Sequence, residues 1–258
     1  MIDVKALQKA VQQSLLPEEK VWEDNAIARA IWSTSSPFTE QIVVRLVHRL
    51  QQTGKIEDNE LSIREIVGAH AHGHEYDEAR NLSKAIRSDS VHLPLKNGDF
   101  VDYNLFRGRF YYSAKKQTFK ISLNPDILQF YVALGNNFTV FGITEFLELK
   151  GGVYAQRLYH NLMSWIPHKA SDKGYWDVSV DELGRLLGVP ENTPYEELKR
   201  IINRTLKKIN TKTSLDVSWD VLEKDGRRVK KLRFLHHTYQ PFNKAPKAIN
   251  ADTGGAKH

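Results

Sequence analysis

The sequence predicts an α+β chain of two tandem winged helix-turn-helix domains, and three observations carry that expectation. One order of elements is written twice along the 258 residues: long helix, short strand, capped short helix, turn, second helix, β-hairpin. Both copies open the short helix with the same chemistry, Ser62-Ile63-Arg64-Glu65 and Ser179-Val180-Asp181-Glu182. In such a box the serine oxygen takes a free amide of the first turn and the glutamate can return the favour. The second helix of the later copy carries an aliphatic stripe at helical period, as a helix packed on one side requires.

In the first half, a weakly amphipathic helix is expected from Val4 to Leu15, stopped by Pro17. Thr39 suits the N-cap of the next helix, where Ile42, Val43, Leu46, Val47 and Leu50 recur at helical spacing up to Gly54. Ser62 then opens the short helix through Ile66 and Val67. A loop from His70 to Glu75 leads to a second helix with Ala79, Leu82 and Ile86 inward. Strands follow at Val91 to Leu95, Phe100 to Tyr112 and Thr118 to Leu123, with Asn97-Gly98 as a hairpin turn.

In the second half, Gly151-Gly152 precedes a helix bearing Tyr154, Leu158, Tyr159, Leu162 and Trp165 and ending at Pro167. Trp176 to Val178 reads as a short strand, and Ser179 starts a helix through Leu183, Leu186 and Leu187 that Gly188 closes. A turn with Pro190 and Pro194 leads to a long helix from Tyr195 to about Asn210. Leu215 to Val221 and Val229 to Leu235 alternate as strands about Lys224-Asp225-Gly226. These elements divide the chain into residues 1–143, residues 144–243 and a tail from Lys244 expected to be disordered.

Composition narrows the function. The net charge of +6 is uneven: Met1 to Ile143 holds 17 Lys/Arg against 17 Asp/Glu, Thr144 to His258 holds 20 against 14, and Lys199 to Arg233 alone holds 12 against 4. Such a local excess fits a polyanionic partner, since neutralised phosphates release condensed counterions. No apolar run reaches the roughly 20 residues that a membrane crossing needs. The N-terminus lacks the apolar core of a secretory signal, so a cytoplasmic setting is expected. There is no cysteine to form a disulfide, a thiolate metal site or a cysteine nucleophile.

The long helix of the second half places Leu198, Ile201, Ile202, Leu206 and Ile209 on one side, expected to pack on Leu183 and Leu187. The opposite side then shows Lys199, Arg200, Asn203, Arg204 and Lys207, with no acid between Arg200 and Asn210. In a helix-turn-helix that side enters the major groove, where Arg grips guanine O6 and N7 and Asn can pair with adenine N6 and N7. Arg227, Arg228 and Lys230 in the following hairpin suit phosphate contacts, although charges protecting an edge strand would look alike. The first half offers Arg80, Lys84 and Arg87 beside Asn81. Acids at Glu75, Asp77 and Glu78 leave DNA contact and plain surface decoration both open.

The residues assembled here resemble the iteron-binding plasmid replication initiators, the Rep proteins with two winged-helix domains. The resemblance rests on Tyr154-Ala155-Gln156-Arg157-Leu158-Tyr159, Asp181-Glu182-Leu183, Leu186-Leu187-Gly188-Val189, Tyr195 and Lys199-Arg200. It continues through Ile209-Asn210 with Thr211 and Thr213, Gly226-Arg227 and Leu232-Arg233-Phe234. It covers about the last 110 residues; the first half agrees in element order and in the helix from Phe38 to Leu50. Lys208 departs from it, standing where such proteins often carry an acid. The resemblance implies binding to direct repeats of double-stranded DNA at a plasmid origin, with the C-terminal domain reading bases. It further implies an N-terminal domain that grips the other end of the repeat and forms a homodimer in equilibrium with monomer. Repression of the chain's own gene, recruitment of the host replication initiator and helicase, and the absence of any enzymatic activity or cofactor belong to the same implication.

Other chemistry has less support. His70-Ala71-His72-Gly73-His74 contains the His-x-His core of a rolling-circle nickase, but in a Gly-containing loop rather than on a central strand. A polar loop or phosphate contacts from partly protonated imidazoles fit it better. No Gly-x-x-x-x-Gly-Lys-Ser/Thr loop supports an ATPase. Capping and the helix dipole account for Asp181 and Glu182. The aromatics Tyr103, Phe106, Phe110, Tyr111 and Tyr112 suit either core and interface packing or a stacking platform for single strands. A dedicated repressor of the same fold and a metal-dependent nickase stand as rival functions.

Overall fold

Gly54 marks where the central helix of the first unit stops, with φ at 67° and its N–H returned to the Leu50 carbonyl at 2.8 Å. Left-handed backbone costs glycine no Cβ clash, so the chain can turn away there. We describe this in a computed structural model, over residues 20–237 except 55–58, 68–76, 78–79, 83, 96, 98, 133, 135–137, 151 and 167–173. The expected helix from Val4 to Leu15, the His70–His74 loop and the tail from Lys244 lie outside the described residues.

The helix ending at Gly54 is the second among the described residues, α2 (Thr39–Thr53), and it buries all five expected apolar positions. Thr39 is not its N-cap. The helix begins at Thr39 after Phe38, and the Thr39 hydroxyl donates instead to Asp89 Oδ2 at 2.6 Å. A β-ladder of β1 (Lys20–Asp24) with β8 (Phe138–Gly142) and the short α1 (Asn25–Ala28) cover one flank. Two three-stranded antiparallel sheets complete the unit. One orders β2 (Ile31–Ser33), β4 (Ser90–Pro94) and β5 (Phe100–Asn104); the other orders β3 (Asn59–Ser62), β7 (Thr118–Leu123) and β6 (Phe106–Ser113). The single strand expected from Phe100 to Tyr112 is therefore two strands in different sheets. The break is at Leu105, fully buried, whose N–H donates to Asp89 O and whose carbonyl accepts from Asn124, each at 2.9 Å. Between β3 and the second helical stretch lies α3 (Ile63–Val67), held by a reciprocal box: Glu65 N–H donates to Ser62 Oγ at 3.1 Å and Ser62 N–H donates to Glu65 Oε2 at 2.7 Å. Then come α4 (Pro125–Val132) and α5 (Ile143–Glu148).

Helix α6 (Val153–Ser164) stands between the two units and leads to β9 (Tyr175–Ser179), α7 (Val180–Leu187), α8 (Tyr195–Lys212), β10 (Val217–Asp225) and β11 (Arg228–His236) of the second, with sheet order β10-β11-β9. Ser179 caps α7 by accepting from Glu182 N–H at 3.1 Å. The aliphatic stripe of α8 is buried as expected, but its main helical partner is α6 rather than α7. A cavity of about 260 Å³, lined by Val180, Gly184, Val189 and Leu198 among others, separates the start of α7 from α8. The strands β10 and β11 run longer than the alternation suggested, and pairing with β9 ends at Ser179 opposite Lys231, so residues beyond it project as a free hairpin.

Helix α6 packs on α1 and β8 on one side and on α7 and α8 on the other. Residues 155–164 are consequently buried all round, polar ones included. Four of the five aromatics of the Tyr103–Tyr112 stretch pack against the core, Tyr103 on Phe130, Phe106 on Phe110 and Tyr112 on Phe119; Tyr111 is 59 % exposed. Among the described residues no helix is long and apolar enough to cross a membrane.

Candidate nucleic-acid interface

The site begins with a helix that can bury only one side. Leu198, Ile201, Ile202, Thr205, Leu206 and Ile209 face inward from α8, which leaves Lys199, Arg200, Asn203, Arg204 and Lys207 exposed. Two acids, Glu196 and Glu197, sit in the first turn, where the positive end of the helix dipole favours them. Arg200 leans back on Glu197 at 3.3 Å with its side chain 80 % exposed, a contact that costs little to break in solvent. Among the described residues no ion pair involves Lys199, Arg204 or Lys207.

Two asparagines do more than the sequence disclosed. Trp219 on β10 donates its indole N–H to Asn203 Oδ1 at 2.9 Å. Since an indole nitrogen can only donate, this bond fixes which way the amide points and leaves the Asn203 NH₂ outward. Asn210 is engaged at both ends of its amide: its Nδ2 donates to Val217 O at 2.8 Å and its Oδ1 accepts from Val217 N–H at 3.1 Å. The side-chain amide completes one peptide pair between the end of α8 and the start of β10, so the hairpin is set at a fixed angle to the helix. Lys208 turns the other way. Its ammonium donates to Leu149 O at 3.1 Å and to Lys150 O, just past α5, and burial, with help from Lys212, lowers its pKa.

The free hairpin carries the remaining cations. Arg227 and Arg228 are exposed and Lys230 is half-buried about the turn at Gly226, where φ is 58°. Arg228 lies 3.9 Å from Asp181 and Lys230 lies 3.8 Å from Asp225, loose contacts that phosphates can replace. Deeper along the hairpin, Lys231 pairs with Glu223 at 2.7 Å and Arg233 makes two hydrogen bonds to Asp177 at 2.6 and 2.7 Å. These hydrogen bonds raise the pKa of Lys231 and of Arg233 and leave both less available to a ligand.

In the first unit Arg80, Asn81, Lys84 and Arg87 are exposed while Leu82 and Ile86 are buried, so these cations face outward as expected, although Ile86 and Arg87 stand in a separate 3-10 turn, Ile86–Ser88. Arg80 lies 3.6 Å from Asp77. Beside it the β6–β7 hairpin shows Arg107, Arg109, Lys115, Lys116 and Lys120, all exposed. Tyr112 of that hairpin shares a surface hollow with Asp77, Arg80 and Asn81. A register shift between Arg107 and Tyr111, with Gly108 at φ 84°, bends the strand there. Of these five cations, the expected strand from Phe100 to Tyr112 holds only Arg107 and Arg109 and the expected strand from Thr118 to Leu123 only Lys120, so nothing local shows that they share one hairpin. The turn residues 114–117, which include Lys115 and Lys116, were the available signal. No group of three or more metal-ligating side chains occurs among the described residues; the His70–His74 loop lies outside them.

Two family models match this chain. Residues 20–163 match the initiator replication protein model for its first winged helix, WH1, and residues 179–235 match the initiator Rep protein model for the second, WH2. The crystal structure of Pi initiator protein in complex with iteron DNA superposes with a TM-score of 0.60 at 17 % identity, covering 85 % of this chain and 97 % of that one. At that identity the likeness speaks for the fold.

Proposed function

The chain belongs to the initiator replication protein family with two successive winged-helix domains, and from that premise we propose that it binds repeated double-stranded sites at a plasmid origin. One observation carries this reading: α8 turns outward a cationic side with no acid from Arg200 to Asn210, beside a basic hairpin held at a fixed angle. Lys199, Arg200, Asn203, Arg204 and Lys207 enter the major groove and read base edges. Arg227, Arg228 and Lys230 follow the adjacent phosphates, giving affinity and orientation without sequence information. The first unit holds the other end of the repeat through Arg80, Lys84 and Arg87, with the β6–β7 cations alongside. The Pi initiator's complex with iteron DNA supports the same mode of binding here. Repression of the chain's own gene, a homodimer in equilibrium with monomer, and recruitment of the host initiator and helicase complete the proposal.

The test is a duplex selected by the chain from a random pool, then titrated with variants. Replacing Arg200 or Arg204 by Ala is expected to cost about 1–3 kcal/mol on that duplex and to relax preference at individual base pairs. Variants that bind selected and random duplexes like the parent would remove α8 from the interface. A plasmid carrying only this gene and its flanking repeats separates an initiator, which sustains replication, from a repressor, which does not.

A further inference from the structure

One side chain of α6 reaches into both matched units. The Arg157 guanidinium, 6 % exposed, donates from Nε to Glu40 Oε1 at 2.7 Å and from Nη2 to Thr34 Oγ1 at 2.9 Å. Both partners belong to the first unit. From Nη1 it donates at 2.9 Å to the carbonyl of Leu187, the last residue of α7 in the second unit. That carbonyl is one of the helix-end acceptors without an intrahelical donor, so the guanidinium caps the first helix of the second helix-turn-helix. Gly188 follows at φ 72°, and a Cβ there would lie 2.0 Å from Arg157 Nη1. Contact is close enough that only hydrogen fits.

Guanidinium is planar and its donors are fixed in a fork, so the three bonds define a direction for each partner. Glu40 is 1 % exposed, and shifting Arg157 would strand a carboxylate that has no water to turn to. Nearby bonds hold the same parts together. Arg29 donates to Ser164 Oγ at 3.0 Å and Ser164 O at 2.6 Å, and Glu145 accepts from Tyr159 at 2.7 Å and from the Ser214 amide at 2.9 Å. The second unit therefore has little freedom to slide or twist on the first.

We propose that Arg157 is a positioning residue that sets the register between the two DNA-reading units, so that the chain accepts two blocks of base pairs at one spacing only. This rests on the reading that both units contact DNA. Each base pair added between the blocks moves the second by about 3.4 Å along the axis and by roughly a tenth of a turn around it. A buried three-way clamp cannot follow that displacement and stay bonded.

Selection from a random duplex pool tests this with the full chain, R157K and G188A in parallel. Lysine keeps the charge beside Glu40 but loses the fork, whereas G188A displaces the guanidinium from the other unit and leaves Glu40 in place. The parent is expected to enrich two blocks at a single spacing, and both variants the same blocks at spacings differing by one or two base pairs. On the parent's selected duplex with one base pair inserted, the parent should lose about 10-fold or more in affinity and the variants less than about 3-fold. If R157K does not fold by circular dichroism, G188A alone decides. A single retained spacing in every folded variant overturns the register proposal and leaves DNA binding by both units standing; a single enriched block in the parent overturns both.

Discussion

Asn203 shows how one hydrogen bond alters what a residue can read. Asparagine on a reading helix suggests a two-bond pairing with adenine, but Trp219 already occupies its oxygen at 2.9 Å. The group left outward is the NH₂ donor, which in the proposed complex would suit acceptors such as guanine N7 and O6 or thymine O4. Replacing Trp219 by Phe keeps the ring and removes the donor, so the amide can turn over. Base preference should change at one position of the selected duplex, with the rest of the site unaltered; an identical selected motif would show the bond to be idle. A second residue sets a pH dependence. Glu23 is buried with neither carboxylate oxygen hydrogen-bonded within the described residues; burial first, then Asp24, raises its pKa well above the usual range. His160, 3.6 Å away, is lowered to about 3 by burial, so its ring is neutral near neutral pH and the contact is not an ion pair there. A folded-state pKa above the unfolded value means that Glu23's contribution is present at low pH and lost as pH rises through the folded value. His160 runs the other way, its contribution lost as pH falls from the ordinary imidazole range toward about 3. Glu23→Gln should therefore gain in Tm over the parent as pH is raised from 5 to 9, and a constant difference would refute it. Neither contact was legible in the sequence, because each joins residues at least 16 positions apart on different elements, beyond the reach of any helical or strand period.

Elements were legible where local chemistry decides them. The serine caps, the glycine stops and the stripe of α8 follow from bonds and contacts within one or two turns, and the structure keeps them, with the box reciprocal at Ser62 and the serine half of it formed at Ser179. The ladder β1–β8, strand β2 and helix α4 escaped notice because each is eight residues or fewer and gains its burial from distant partners. The strand ends on either side of the 114–117 turn were legible, but the break that starts β6 was not: Leu105 is tied to Asp89 and Asn124 from other elements, and no period in the strand betrays it. For the hairpin of the second unit, loose contacts predict a purely electrostatic role. Each phosphate neutralised contributes about 0.9 to the slope of log K against log salt. Arg227→Ala and Arg228→Ala should each lower that slope by about 1 without altering the selected sequence. A changed motif would mean that this hairpin reads bases.

Across the whole chain, the junction behaves as core and not as a linker. Arg157 and Glu40 form a buried pair, and losing one partner of such a pair typically costs about 3–5 kcal/mol. In urea, Arg157→Ala and Glu40→Ala should each lose stability on that scale, while the double replacement by leucine should lose less than either. Equal additive losses would mean that the two side chains act independently. The sequence displayed Arg157 only as one letter of a helical motif. What it touches depends on two units folding against a shared helix, which no spacing within α6 reveals. The charge count was a better guide at this scale, since the cationic excess between Lys199 and Arg233 coincides with the exposed side of α8 and the hairpin beside it.

Gly188 and the guanidinium pressed on it carry an evolutionary corollary. Where a descendant of this chain replaces the arginine by something shorter, the neighbouring position is released and can take asparagine or another residue tolerant of left-handed backbone; where the arginine persists, any side chain at 188 must first evict it. The two sites, 31 positions apart in the alphabet of the gene but in van der Waals contact in space, should mutate as a couple.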